Sequence, residues 1–385
     1  MTSEGARLFL DGKAYRAIGV NMPHLSQGYA GTWFHWQQVY GTQKKMRRAI
    51  EDAVRDARVH QVPFIRFSAA PGYPKNTAEL YGRDPDLYWR RMEELFRLCR
   101  ECGVRLVPSL GVLNEWNLVH GEPRTAILDP SSRTYQATYR YVREFVLLVK
   151  DDPALLMWEL GNEYFLTADV NMNGQTAPPP GVYPEGATTF RKRYTLEDNL
   201  TFDMLVGFYK EMTACLKSLD PGHLVTSGDA GPRDESVSRR QGLPEYRVDT
   251  LDEHLANLLE SQPAPVDVVS IHACGSFTGC HQVGGLSHME FLRARIRAIH
   301  TAGRPIFVGE LGQMDPHHQA DPETKWTRAA IDVIEEEGVA LAAIWVWHFP
   351  WQCESFDIPN GAACPLLMRR IAEFNAKYAG RARLK

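Results

Sequence analysis

No stretch of this sequence stays apolar for the roughly 18 residues that a bilayer-spanning helix needs, so no membrane partner is expected. Basic charge is not in excess either: 43 Lys and Arg stand against 47 Asp and Glu, and the net charge is -4. No basic stripe gathers on any segment, which removes nucleic acid as an expected partner. Cysteine is scarce and odd in number, seven in 385 residues, so a fully paired disulfide framework is excluded. No Gly-rich phosphate turn follows an early strand, which argues against a doubly wound nucleotide-binding sheet. The first residues, Met1-Thr-Ser-Glu-Gly5, have neither the basic start nor the apolar core of a leader. That predicts a cytoplasmic protein, or a secreted one whose leader lies outside this numbering. Internal repeats and long low-complexity linkers are missing as well.

What the chain does have is alternation. Short apolar runs at residues 15–21, 62–68, 104–110, 155–161, 223–227, 266–272, 305–309 and 340–347 alternate with amphipathic segments. The helices between them carry start and stop signals. Thr250 with Glu253, and Ser287 with Glu290, read as capping boxes. Asp84-Pro85 and Asp321-Pro322 place an N-cap ahead of proline at the first helical position. Gly103, Gly303 and Gly338 each sit where a helix must stop before the next strand. Strands alternating with helices pair in parallel through right-handed crossovers. Eight such units predict an α/β fold, a single (β/α)8 TIM barrel spanning residues 1–385, with long loops after the strands and tight ones before them. A doubly wound open sheet is the other fold considered.

In such a barrel the chemistry sits at the C-terminal ends of the strands. Two apolar runs end in glutamate: Ala154–Trp158 leads through Gly161-Asn162 to Glu163, and Pro305–Gly309 leads to Glu310. Most glutamates are solvated surface charges. Two that close buried strands on one rim predict instead a paired-carboxylate site, the arrangement that cleaves glycosidic bonds. Glu159 shares a side of its strand with Gly161 and Glu163, so it points into the barrel or its helical surround and needs a partner if buried. Arg66, near the end of the second run, is a cation that could serve Glu159 or the nucleophile. Asn162 and Glu163 are neighbours, so strict alternation cannot turn both toward one ligand; the strand must end or twist between them. His272 ends the sixth run. Aromatic side chains crowd the same face, namely Trp33 and Trp36 after the first run, Trp116 after the third, and Trp345, Trp347 and Trp351 around the eighth.

Two other readings use the same residues. His272, Cys274, Cys280 and His281 cluster tightly enough to suggest a metal-dependent barrel hydrolase, although their spacing matches no standard zinc pattern. A non-catalytic carbohydrate-binding barrel would keep the aromatic residues, but has no need of both glutamates.

The chain resembles glycoside hydrolase family 5, within its retaining β-mannanase-like branch. The stretches that carry the resemblance are residues 104–116, 151–163, 223–228 and 305–312, together with Gly19-Val-Asn21, Phe64-Ile-Arg66 and Trp345/Trp347. The resemblance implies Glu163 as acid/base and Glu310 as nucleophile. It implies that Asn162 bonds the sugar 2-hydroxyl, that Arg66 orients the nucleophile, and that His272 shapes the subsite at the cleavage point. A tryptophan of the eighth strand, taken here as Trp347, would form the floor. Trp33, Trp36 and Trp116 would line the cleft. No metal or cofactor is implied, and the partner would be a β-mannan, a β-glucan or their oligosaccharides. The sequence departs from the family pattern at Cys274, where tyrosine is usual, and at Tyr164, which stands where the mannanases have Pro-Arg. Retaining chemistry predicts carboxyl groups about 5–5.5 Å apart. It also predicts one shared proton, with Glu163 raised and Glu310 kept ionised by Arg66.

Overall fold

The computed structural model describes residues 1–30, 37–70, 76–113, 116–175, 193–275, 283–313, 325–352 and 356–379. Trp33, Trp36, Cys280, His281 and the Asp321-Pro322 cap lie outside the described residues.

The chain begins with three short antiparallel strands, β1 (Thr2–Glu4), β2 (Arg7–Leu10) and β3 (Lys13–Ala14). Their apolar pattern is too weak to mark them as buried runs, because all but Leu8 are at least partly exposed. The barrel comes next. Its strands are β4 (Ala17–Asn21), β5 (Phe64–Ser68), β6 (Arg105–Ser109), β7 (Trp158–Glu159), β8 (Val225–Thr226), β9 (Val269–Gly275), β10 (Ile306–Gln313) and β11 (Leu341–Ile344). All eight are parallel, in the order β8-β7-β6-β5-β4-β11-β10-β9. A parallel bridge from Thr226 to Val268 joins the two ends of the sheet and closes the barrel. Each strand lies within or beside an expected run. β9 and β10 continue three or four residues past it, because their last residues pair with each other.

Alternation sorts the side chains. On β4, Ala17, Gly19 and Asn21 face inward, while Ile18 and Val20 join the shell beneath the helices. Gly19 is required by size: a Cβ there would lie 2.6 Å from the Phe64 ring. On β5, Phe64 and Arg66 face inward and Ile65 and Phe67 outward. The lower barrel is filled by Phe64, Val107, Met157, Val268, Phe307 and Leu341. Leu8 of β2 and Tyr15 pack beneath them, so the N-terminal sheet seals the bottom. The upper barrel is polar, and this is where the strand-end residues collect.

Local signals hold where they can be seen. Thr250 and Ser287 form full capping boxes, Asp84 caps a helix with Pro85 in its first turn, and Gly103, Gly303 and Gly338 take positive φ. No helix among the described residues is long and apolar enough to cross a membrane.

Candidate active site

Arg66 is the hub of the upper barrel. It is 4% exposed, and its guanidinium reaches four side chains. Nε donates to both oxygens of Glu159 at 2.9 Å, Nη1 to Asn21 Oδ1 at 2.9 Å and to Glu310 Oε1 at 3.0 Å, and Nη2 to Asn162 Oδ1 at 2.7 Å. It therefore serves both partners that the sequence left open. Glu159, at 0% exposure, is a buried charge that needs this cation. Gly228 admits it: a Cβ at that position would come within 2.7 Å of the Glu159 carboxyl carbon.

Glu163 and Glu310 reach the site by different backbone devices. By alternation from Phe307, which faces inward, Gly309 should face inward and Glu310 outward. The register of β10 against β9 shifts between Val308 and Glu310, and this bulge turns Glu310 into the barrel beside His272. Glu163 takes φ +57, the left-handed region that non-glycine residues rarely occupy. That turn separates it from Asn162. Asn162 faces Arg66, and Glu163 faces His272, whose Nδ1 lies 2.8 Å from Glu163 Oε1 and 3.6 Å from Glu310 Oε2. Oxygens of the two carboxyls and the imidazole nitrogen all lie within 4.8 Å of one another.

The protonation order is opposite to the sequence expectation. Burial alone would raise Glu163, but the His272 hydrogen bond and the His272 and Arg66 charges outweigh it and hold the carboxyl below its ordinary range. Glu310 is pushed up by burial, and Glu163 adds to this, against the pull of His272 and Arg66. The difference is physical: Glu310 lies deeper than Glu163, and the His272 hydrogen bond goes to Glu163.

The aromatic expectations need correction. Trp347 is 0% exposed; its Nε1 donates to Ala53 O, and its ring packs against His60 and His348. It is a shell residue wedged against the helix Gln43–Val59, not a floor. Trp345 continues the inward parity of Leu341 and Ala343, is partly exposed, and is held by a 2.7 Å bond from Nε1 to Gln352. Trp116 is 5% exposed and packs with Tyr81, Tyr141 and His120, so almost none of its face is open.

Several residues of the site carried no clear signal in the sequence. Asn21 is buried; its Nδ2 donates to Gly309 O and Ala343 O while its Oδ1 accepts from Arg66, so it clamps the base of the Glu310 bulge. Its strand-end position in Gly19-Val-Asn21 was the available signal. Asp229, wholly buried, accepts from Phe165 N and from Tyr209 Oη, and so anchors the turn after Glu163. Burial raises Asp229 to about 6.

Glu163, His272 and Glu310 are also the described residues that could together hold a metal ion. The Arg66 guanidinium, 3.0 Å from Glu310, opposes a cation there. Cys274, from the other proposed cluster, is exposed and is not among the three described residues that come within ligating distance of one another.

A (β/α)8 barrel with two carboxyls converging on one histidine at its C-terminal rim is the class that fold and site define. No family model matches the chain. It is 23% identical over 282 residues to a probable mannan endo-1,4-beta-mannosidase F of Aspergillus flavus, covering 71% of this chain and 50% of that protein. It is 23% identical over 340 residues to mannan endo-1,4-beta-mannosidase 7 of Oryza sativa subsp. japonica, covering 80% and 76%. The chain thus spans about half the length of the fungal relative. Among solved structures, an endo-1,4-beta-mannanase from Rhizomucor miehei superposes with a TM-score of 0.63 at 15% identity, over 97% of this chain and 99% of that one. An exo-beta-1,4-mannosidase from Opitutaceae bacterium strain TAV5 gives 0.63 at 16% identity, over 99% and 63%. The resemblance to the β-mannanase-like branch is borne out by relatives and fold together.

Proposed function

We propose that the protein is a retaining glycoside hydrolase acting on β-linked mannosides, polymeric or short. The observation that carries this reading is the convergence of Glu163, Glu310 and His272 within 4.8 Å. Carboxyl oxygens this close support direct attack over inversion, which uses a wider separation. Glu310 attacks the anomeric carbon while Glu163 protonates the leaving oxygen; Glu163 then deprotonates the water that releases the sugar. The pair holds one proton, and only the form with that proton on Glu163 is competent for the first step. Arg66 stabilises the ionised nucleophile. Asn162 has its Oδ1 committed to Arg66, which leaves its Nδ2 to donate to a sugar hydroxyl. Trp345 takes the place of Trp347 as the proposed floor. Both glutamates are retained, which favours an enzyme over a binding barrel, and the names of the relatives favour mannose over glucose.

The test is hydrolysis of aryl β-mannoside, β-glucoside and β-galactoside beside mannan and cellulose, with the first-formed anomer tracked by proton NMR. Release of the β-anomer from a β-mannoside is expected. Release of the α-anomer would exclude the nucleophile role of Glu310. Among the described residues, the metal-dependent reading is favoured by the ligand-like closeness of the same triad. Undiminished activity in a chelator, with no metal in the purified protein, would exclude it.

A further inference from the structure

Glu163 stands at a seam in the chain. The residues before it are fixed by the sheet: Gly161 N donates to Ser227 O and Glu163 N to Gly228 O, both at 3.1 Å. Gly228, at φ +80, lies so near Gly161 that a Cβ there would meet Gly161 O at 1.9 Å. The residues after it form the short 3-10 turn Tyr164–Thr167. Glu163 caps that turn with φ +57, a conformation that a non-glycine residue keeps only where its surroundings impose it. An N-cap side chain ordinarily accepts from the first N–H groups of its own helix. That of Glu163 does not, because its carboxyl is turned to His272.

Asp229 supplies the acceptor from the neighbouring strand end. Its Oδ1 accepts from Phe165 N at 3.0 Å, two residues past Glu163. Its Oδ2 accepts from Tyr209 Oη, on the helix Phe202–Leu219. Its own N–H donates to Ser227 Oγ at 3.1 Å, and Ser227 Oγ donates to Gln262 Oε1 at 2.6 Å. Arg124 and Arg233 hold the far end of the turn, at Thr167 Oγ1 and Leu166 O. Asp229 is 0% exposed, and a buried carboxylate is costly unless its oxygens are satisfied. Here one of the donors that satisfies it belongs to the turn that carries Glu163.

We propose that Asp229 is a positioning residue for the general acid. Through Phe165 N it holds the left-handed turn at Glu163, and so fixes how far the Glu163 carboxyl reaches toward the glycosidic oxygen. Asp229 neither touches the sugar nor moves a proton, since it is wholly buried. The role rests on the glycosidase reading, because only there does Glu163 have a leaving oxygen to protonate. Proton transfer needs donor and acceptor within hydrogen-bond reach. A displaced acid is therefore felt most where the leaving group cannot depart without the proton.

The test compares two leaving groups on one sugar. Aryl β-mannosides, or β-mannobiosides if the wild-type protein requires the longer chain, are made with 2,4-dinitrophenol, which departs without protonation, and with 4-methylphenol, which does not. The readout is kcat/KM, which reports the step that Glu163 assists as acid. In Asp229→Ala the 4-methylphenyl substrate is expected to lose at least about tenfold more than the dinitrophenyl substrate, part of the roughly 10²–10⁴-fold that a positioned acid supplies. In Asp229→Asn, Oδ1 still accepts from Phe165 N and Nδ2 can donate to Tyr209 Oη, so that gap should close to within about threefold. If Asp229→Ala does not fold, Asp229→Leu with Tyr209→Phe removes the acceptor without stranding the tyrosine hydroxyl, and should open the same gap. Equal losses for the two substrates would mark Asp229 as merely structural; they would overturn the inference and leave the glycosidase reading intact. A gap as wide in Asp229→Asn as in Asp229→Ala would also overturn it, since the inference relies on the bond to Phe165 N. No turnover of either substrate by the wild-type protein would overturn both.

Discussion

Glu159 and Glu310 hold opposite ends of one guanidinium. Glu159 takes both its oxygens to Arg66 Nε, and Glu310 takes Nη1 at 3.0 Å. A structural charge and a reactive one thus share a single cation, and the two can be separated only by changing more than one residue. Arg66→Met is expected to destabilise the fold by about 3–5 kcal/mol, because Glu159 is left buried and unpaired. Adding Glu159→Leu should recover much of that loss in urea unfolding, yet activity should stay low, since Glu310 still lacks its cation. Recovery of activity in the double variant would show that Arg66 acts on the fold alone.

The carboxyl pair makes a plain demand. Glu163→Gln and Glu310→Gln should each give a folded protein whose kcat falls about 10³-fold or more on an aryl β-mannoside. Azide should restore part of the rate to Glu163→Ala and release a β-mannosyl azide, because a small anion attacks the glycosyl-enzyme without needing a base. Near-normal turnover in either Gln variant would remove that residue from the mechanism.

The His272 contacts predict the direction of a pH shift. His272 holds Glu163 low and also pulls Glu310 down. With His272→Ala, both carboxyls lose that pull, and both limbs of the bell-shaped rate profile should move to higher pH. The limbs belong to the pair rather than to either residue, so the position of the whole bell is the observable. A bell that stays in place, or moves toward acid, would mean that His272 does not set the protonation of the pair.

The two tryptophans of the eighth strand should behave oppositely. Trp347→Ala is expected to cost about 3–5 kcal/mol of stability, as removal of a fully buried large side chain does, with KM little changed. Trp345→Ala should raise KM for mannosides at a much smaller cost in thermal stability. The reverse pattern would return Trp347 to the cleft.

Much of this architecture was legible because period-2 burial and helix caps are local signals. The eight apolar runs, Glu163, Glu310, Arg66 and His272 all lay at recognisable strand ends. What escaped depended on departures from regularity. Alternation alone puts Glu310 outside the barrel, and only the bulge after Val308 brings it in. Trp345 and Trp347 share a parity, and only the path of the chain past β11 tells that one indole stays at the barrel mouth while the other reaches Ala53. The protonation order was missed because it depends on how deeply Glu310 is buried and on which carboxyl takes the His272 hydrogen bond, which no spacing along a sequence reports. Asp229 was silent, and Asn21 was noticed without a role, for a related reason: short polar residues at strand ends are common, and their value lies in what they clamp.

The sealed lower barrel has a practical consequence for anyone altering this protein. Leu8, Tyr15, Phe64, Val107, Met157 and Phe307 form an apolar plug in the half of the barrel away from the strand ends that carry the ionic hub. Repacking that plug, or tightening the N-terminal sheet against it, offers a route to heat tolerance that leaves the proton inventory of the rim alone. Work on specificity belongs at the other end, where each substitution must be judged first for what it does to the charge on Arg66.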